Sequence, residues 1–146
     1  MSIRISYDNT KYRFPEWRKA VRLLEKVTRN ENMVTGDLIY IITTDAVIRE
    51  INAEFLGHDY YTDVIAFNYA EGKIINGEIY ISKDTVKRNS RNYNISLKEE
   101  MLRVMIHGLL HLTGYNDKTE EEREVMRLNE DKWLDEKYRR EYGVQI

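Results

Sequence analysis

Cysteine is absent from the 146-residue chain. That excludes a disulfide framework and any thiolate-bound metal, so a metal ion here must be held by histidine and carboxylate. The absence also fits a reducing compartment. Proline occurs once and glycine seven times. There is no Pro- or Ser-rich linker, no low-complexity segment and no repeat, which points to one domain over residues 1–146. No stretch approaches the roughly 20 apolar residues of a membrane span. Met1-Ser2-Ile3-Arg4-Ile5-Ser6 lacks the basic lead and apolar core of a secretion signal. The expectation is a soluble, cytoplasmic protein with no membrane partner. An excess of one charge is lacking too: the net charge is −2, so any contact with a polyanion must be local.

What is present is a hydrophobic content of 42%, enough for a real core. Charge is unevenly spread. Residues 11–29 carry Lys11, Arg13, Arg18, Lys19, Arg22, Lys26 and Arg29 against Glu16 and Glu25. Lys83, Lys87, Arg88 and Arg91 stand against Asp84, while residues from Glu120 to Glu136 supply most of the compensating acid. Solvated helix faces account for such runs, and so does a basic face for a nucleic-acid backbone; Lys83, Lys87, Arg88 and Arg91 are the candidates for that contact.

Ile3-Arg4-Ile5-Ser6-Tyr7 alternates like a strand. Pro15 suits a first helical position, with Trp17, Ala20, Val21, Leu24 and Val27 following at helical spacing. Asp37 to Thr43 reads as a second strand. Thr44 or Asp45 can cap a helix with an inward face of Val47, Ile48, Ile51 and Phe55, ended by Gly57. Thr62 to Phe67 and Glu78 to Ser82 read as strands, with Gly72 and Asn76-Gly77 offering hairpin chemistry between them. A polar helix from about Ser82 to Tyr93 follows. Ser96-Leu97-Lys98-Glu99 opens a long helix that Gly114 stops, and Thr119-Glu120-Glu121-Glu122 opens the last. The order β-α-β-α-β-β-α-α-α predicts an α+β domain: a small mixed four-stranded sheet packed with about five helices.

The chemistry concentrates in His107-Gly108-Leu109-Leu110-His111-Leu112-Thr113-Gly114-Tyr115-Asn116-Asp117. His107 and His111 are four apart, so on the long central helix they share a face one turn apart and can grip one ion. After Gly114 the chain can turn back and offer Asp117 as a third ligand. Two histidines and a carboxylate leave a position open, the pattern of a catalytic rather than a structural zinc. Met105, Ile106, Leu109, Leu110 and Leu112 make the helix mostly apolar, and imidazoles in such surroundings need partners. A zincin peptidase has Glu directly after the first His as its general base; here that place is Gly108, which can take no proton. No other side chain is singled out as the catalytic base. Asp63, a lone acid in an apolar strand, either orients a ligand imidazole or caps a turn. His58 is either a further ligand, a phosphate contact or a surface residue. Tyr60, Tyr61 and Tyr69 are either base-stacking groups or packing residues.

The His motif resembles the signature of the YbeY family of bacterial endoribonucleases and rRNA maturation factors, His-Gly-x-Leu-His-Leu-x-Gly-Tyr-Asp-His, and agrees with it throughout from His107 to Tyr115. Thr62-Asp63-Val64-Ile65-Ala66-Phe67 is similar to the family's Pro-Thr-Asp-Val-Leu-Ser-Phe strand, with Tyr61 where Pro is usual. Gly77-Glu78-Ile79-Tyr80-Ile81-Ser82 is similar to its Gly-Asp-Ile strand. The resemblance covers about residues 37–134. It implies an α+β fold, zinc held by three histidines, and cleavage of single-stranded RNA in small-subunit rRNA 3′ end maturation and ribosome quality control. This chain departs from the pattern at Asp117, which stands where the third His falls, and at Leu56 and His58, which take the places of a usual Arg and Lys. The leading expectation is a single-strand-specific endoribonuclease with one Zn²⁺, or another divalent ion, on His107, His111 and Asp117, working on rRNA with the small ribosomal subunit as partner. The alternatives are a zinc peptidase or amidase, and a ribosome-associated binding factor whose metal is mainly structural.

Overall fold

The computed structural model describes residues 2–57 and 62–142. The elements follow the order expected from the sequence: β1 (Ser2–Tyr7), α1 (Trp17–Asn30), β2 (Val34–Thr43), α2 (Asp45–Leu56), β3 (Val64–Asn68), β4 (Ile74–Ser82), α3 (Lys83–Asn92), α4 (Leu97–Leu112) and α5 (Glu120–Tyr142). The four strands form one sheet in the order β1-β2-β4-β3. β1, β2 and β4 are mutually parallel, and β3 returns antiparallel along β4. The fold is α+β with a mixed sheet, as expected.

β2 and β4 alternate, burying Leu38, Tyr40 and Ile42 on one strand and Ile75, Ile79 and Ile81 on the other. The period of two puts these side chains on one face of the sheet. α1 adds Ala20, Leu23, Leu24 and Val27 to the same core, and α4 adds Met101, Leu102, Met105, Ile106, Leu109 and Leu110. The Tyr40 hydroxyl, fully buried, donates to the Met105 carbonyl at 2.9 Å and ties the sheet to α4. α4 is apolar around most of its circumference because sheet and helices surround it. Arg103, His107 and His111 form the half-buried edge that remains.

Local signals set the element ends. The Thr44, Ser82 and Ser96 side chains each accept a backbone N–H in the first turn of α2, α3 and α4. Thr119 and Glu122 cap α5 reciprocally, at 3.0 and 2.9 Å. Gly57 closes α2 in the left-handed region at φ 69°. Four local readings change. Pro15 lies before the cap residue Glu16, not inside α1. β2 begins at Val34 rather than Asp37. The extra turn of strand carries a bulge between Thr35 and Leu38, where Asn76 Oδ1 accepts the Asp37 N–H at 2.8 Å. Phe55 is 63% exposed, edge-on to Phe67, and Asn52 takes the buried position instead. Asn76-Gly77 is strand, not turn: the β3–β4 reversal closes at Glu71–Ile74. Gly77 serves another purpose, because a Cβ there would stand 2.6 Å from the Phe67 carbonyl and 2.8 Å from Leu112 Cδ1. Its bare backbone lets the end of α4 lie against the sheet. Gly108 does the same one turn earlier, where a Cβ would stand 2.8 Å from Ile79 Cγ2.

Candidate metal centre

His107 and His111 project from the half-buried edge of α4 with their Nε2 atoms 3.0 Å apart. α4 ends at Leu112 and Gly114 takes φ 114°, so the chain turns back over the helix end. This brings Asp117 Oδ2 to 3.2 Å from each Nε2. The three atoms are the one His/carboxylate group of this kind among the described residues to converge within 4.8 Å. The Asp117 loop is held in place by Arg123, whose guanidinium donates to the Lys118 carbonyl at 2.9 Å and to the Asp117 carbonyl at 3.4 Å.

The outer nitrogens determine what faces inward. His107 Nδ1 donates to Glu130 Oε2 at 2.7 Å, and His111 Nδ1 donates to the Tyr115 carbonyl at 3.0 Å. With each Nδ1 carrying the hydrogen, both Nε2 atoms point lone pairs at each other and at a carboxylate oxygen. Three electron-rich atoms so close repel one another unless a cation lies among them. Zinc bonds of about 2.0–2.1 Å place tetrahedral ligand atoms about 3.3 Å apart, close to the observed separations of 3.0, 3.2 and 3.2 Å. The donor set therefore fits a divalent metal, and a His–carboxylate pair behind a ligand is the usual outer support.

Glu130 was not singled out from the sequence. It is buried on the stripe Met126, Glu130, Trp133, Leu134 of α5. An acid at helical spacing within an apolar stripe was the available signal. Arg103 bridges Glu130 at 3.0 Å and Asp131 at 2.6 Å, which fixes the Glu130 carboxylate in place against His107. Burial disfavours the His107 imidazolium, but the hydrogen bond and charge of Glu130, with help from Asp63 and Asp117, more than reverse this, and the imidazole pKa lies above its ordinary value. A metal takes only the neutral ring, so metal affinity should fall as pH drops through a value above the usual 6.5. Glu130→Gln removes the strongest contributor that raises that pKa. In this variant the acid limb should move to lower pH, while affinity near pH 8 should drop about 10- to 100-fold for want of the outer carboxylate. Chelator competition across pH reads both effects. An acid limb that stays in place would show that Glu130 does not govern the proton on His107.

Asp63 lies close enough to His107 for mutual electrostatic influence, with burial raising its own pKa and His107 opposing. Its carbonyl accepts the Ser82 N–H at 2.9 Å, which anchors the start of β3 to the end of β4. Lys83, Lys87, Arg88 and Arg91 lie on α3, as expected. Arg88 is committed to Asp45 at 2.8 Å, and none of the four lines the cleft at His107. That cleft instead carries Arg123 and Arg127 from α5, which the reading of this quarter as an acidic surplus passed over. Tyr69 donates to Glu78 at 3.1 Å, away from the cleft. His58, Tyr60 and Tyr61 lie outside the described residues.

A mixed-sheet α+β domain with paired imidazoles on its central helix and a carboxylate on the following loop is the build of a metal-dependent hydrolase. More narrowly, the chain belongs to the endoribonuclease YbeY family, whose model matches residues 4–138. It is 45% identical to a protein named endoribonuclease YbeY from Parabacteroides distasonis over 111 residues, 76% of this chain and 78% of the relative. Over 132 residues it is 40% identical to the namesake from Bacteroides fragilis, covering 89% and 95%. The solution structure of a Thermotoga maritima protein is similar at a TM-score of 0.67 and 28% identity, across 97% of this chain and 93% of that one. No helix of the described residues is long and apolar enough to cross a membrane.

Proposed function

We propose that this single-domain chain is a zinc-dependent endoribonuclease that cleaves single-stranded RNA in the cytoplasm. Its role would be in maturation of the small-subunit rRNA 3′ end and in ribosome quality control, with the small ribosomal subunit as partner. The observation that carries the reading is the convergence of His107 Nε2, His111 Nε2 and Asp117 Oδ2 within 3.2 Å of one another, in a family whose members are named endoribonucleases. His107, His111 and Asp117 would hold the ion, and a zinc ion so held supplies Lewis acidity toward a phosphoryl oxygen. Two nitrogens and one oxygen suit zinc, and the oxygen widens the choice to other divalent metals.

The protein's own groups do the remaining work. Among the described residues Arg123 bonds backbone carbonyls and no carboxylate. It can hold an RNA phosphate beside the metal ligands. Exposed Arg91 and half-buried Lys87 on α3 lead toward the Tyr93 rim of the cleft and extend the track for the backbone, with Lys83 and Arg88 beside them. Gly108 removes the base that a peptidase of this helical type needs, so nothing in the site favours that alternative.

Metal analysis of purified protein, paired with cleavage of labelled single-stranded and duplex RNA, tests the reading. One equivalent of zinc is expected, with cleavage confined to single strands and abolished by chelation. A 2′,3′-cyclic phosphate among the products would identify the ribose 2′-OH as nucleophile. Intact RNA with fully loaded protein overturns the nuclease assignment and leaves a ribosome-binding factor.

A further inference from the structure

The cleft that holds His107 and Asp117 extends well beyond the metal ligands. It runs along α4 toward its N-terminus as a cavity of about 460 Å³, bounded by Glu100, Arg103, Tyr93, Arg123 and Arg127. This volume lies in the range of small-molecule sites and suits a nucleotide. Glu100 and His107 are two helical turns apart, about 10 Å along the axis, so a ligand that reaches both must be extended.

One side chain in this arm lacks a partner that its chemistry calls for. Glu100 is only 3% exposed, yet its Oε1 has no hydrogen-bond partner. The nearby cation, Arg103, spends its guanidinium on Glu130 and Asp131. Burial pushes the Glu100 carboxyl up to about 7; Arg103 opposes this, and the neighbouring acids Asp63, Glu130 and Glu99 add to it. A buried acceptor without a donor is costly and needs an explanation. A second metal does not provide one, since Glu100 belongs to no converging group of ligands among the described residues. Across the cleft, Tyr93 is 65% exposed.

A buried carboxylate with one unpartnered oxygen, lining a cavity, and an aromatic ring at the rim suit a flat ligand that carries N–H donors on one edge. Among nucleobases, guanine presents two adjacent donors, N1–H and N2–H, that match the two oxygens of one carboxylate. Uracil offers a single N–H. Adenine and cytosine place a ring acceptor beside their amino group, which opposes the second oxygen. We propose that Glu100 and Tyr93 form a base subsite that selects guanine in the nucleotide next to the cleaved phosphodiester. This subsite rests on the endoribonuclease reading above. Glu100 reads the Watson–Crick edge and Tyr93 stacks on the ring.

Calorimetric titration of zinc-loaded protein with 5′-GMP, AMP, CMP and UMP at about pH 8.5, above the value of about 7 to which burial raises Glu100, tests the subsite, because any phosphate–metal contact is common to all four. GMP should bind at least about tenfold tighter than the others, the size of one bidentate base contact. Glu100→Gln keeps the side chain's shape and removes a buried charge. It should retain the fold, checked by melting, and bring GMP down to the level of the other nucleotides. Tyr93→Ala should weaken all four by a similar factor, about tenfold. Equal affinities in the parent, no nucleotide binding, or a guanine preference that survives Glu100→Gln each overturn the subsite. RNA cleavage without preference for guanine defeats the subsite and leaves the nuclease reading intact. Guanine-selective binding without any RNA cleavage does the reverse.

Discussion

His107→Ala and His111→Ala are each expected to leave purified protein without stoichiometric metal and to lower RNA cleavage by more than about 100-fold, the ceiling for loss of a mere outer partner. Either change leaves two ligand atoms where three converge within 3.2 Å. The two variants should differ in stability. His111 Nδ1 serves a backbone carbonyl at a helix end, Tyr115 O, which water can satisfy after the ring is gone. His107 Nδ1 serves Glu130, a buried carboxylate whose other partner is Arg103. Leaving that acid short of a donor costs about 1–3 kcal/mol, so only His107→Ala should melt measurably lower in the metal-free state. Elemental analysis with thermal melts reads both halves. Full metal occupancy in both variants would sink the ligand assignment.

That asymmetry between neighbouring histidines marks the limit of what sequence spacing reveals. His107 and His111 are four apart on one helix, and helix geometry alone places them side by side. The caps at Thr44, Ser96 and Thr119 and the stop at Gly57 are equally local, since each joins residues three to five apart. Glu130 is 23 residues from His107, and only the docking of α5 against α4 brings them together. The arginines of the cleft were hidden by composition. Residues 120–136 hold a surplus of acid, yet Arg123 and Arg127 are four apart and turn the same way, toward the cavity.

The expected hairpin of β3 and β4 forms, but its turn closes at Glu71–Ile74 rather than at Asn76-Gly77. Asn-Gly is a strong turn signal by its own conformational preference. Here packing overrides it, because Leu112 at the end of α4 needs the space above Gly77, and Asn76 is taken by the β2 bulge through the Asp37 N–H. Phe55 shows the opposite failure. Its helical spacing with Ile48 and Ile51 suggests burial, but α2 ends there, and among the described residues Phe55 meets the edge of the Phe67 ring.

Asp117 gives the most discriminating test of the site, because substitution there can remove, preserve or alter the ligand without disturbing α4. Asp117→Ala is expected to lose tight metal binding. The loop should stay in place, since Arg123 holds it through the carbonyls of residues 117 and 118 and the Thr119–Glu122 cap follows directly. Asp117→His should retain the metal, because an imidazole from the same loop position can reach the point that Oδ2 occupies 3.2 Å from both helical histidines. The pH dependence then separates true ligation from mere tolerance. Protons compete for imidazole near neutrality, whereas carboxylates as a class compete only in acid. The parent ligand set holds two imidazoles and that of Asp117→His holds three, so metal should be lost more steeply on acidification, by about one further proton released per ion bound. Metal affinities measured by chelator competition from pH 5.5 to 8.5, about the range in which imidazoles titrate, give this slope directly. An unchanged slope with full occupancy at the alkaline end would mean that the new imidazole is not bound. If Asp117→Ala holds the ion as tightly as the parent, Asp117 is a loop residue, and the third ligand must be sought elsewhere along the cleft.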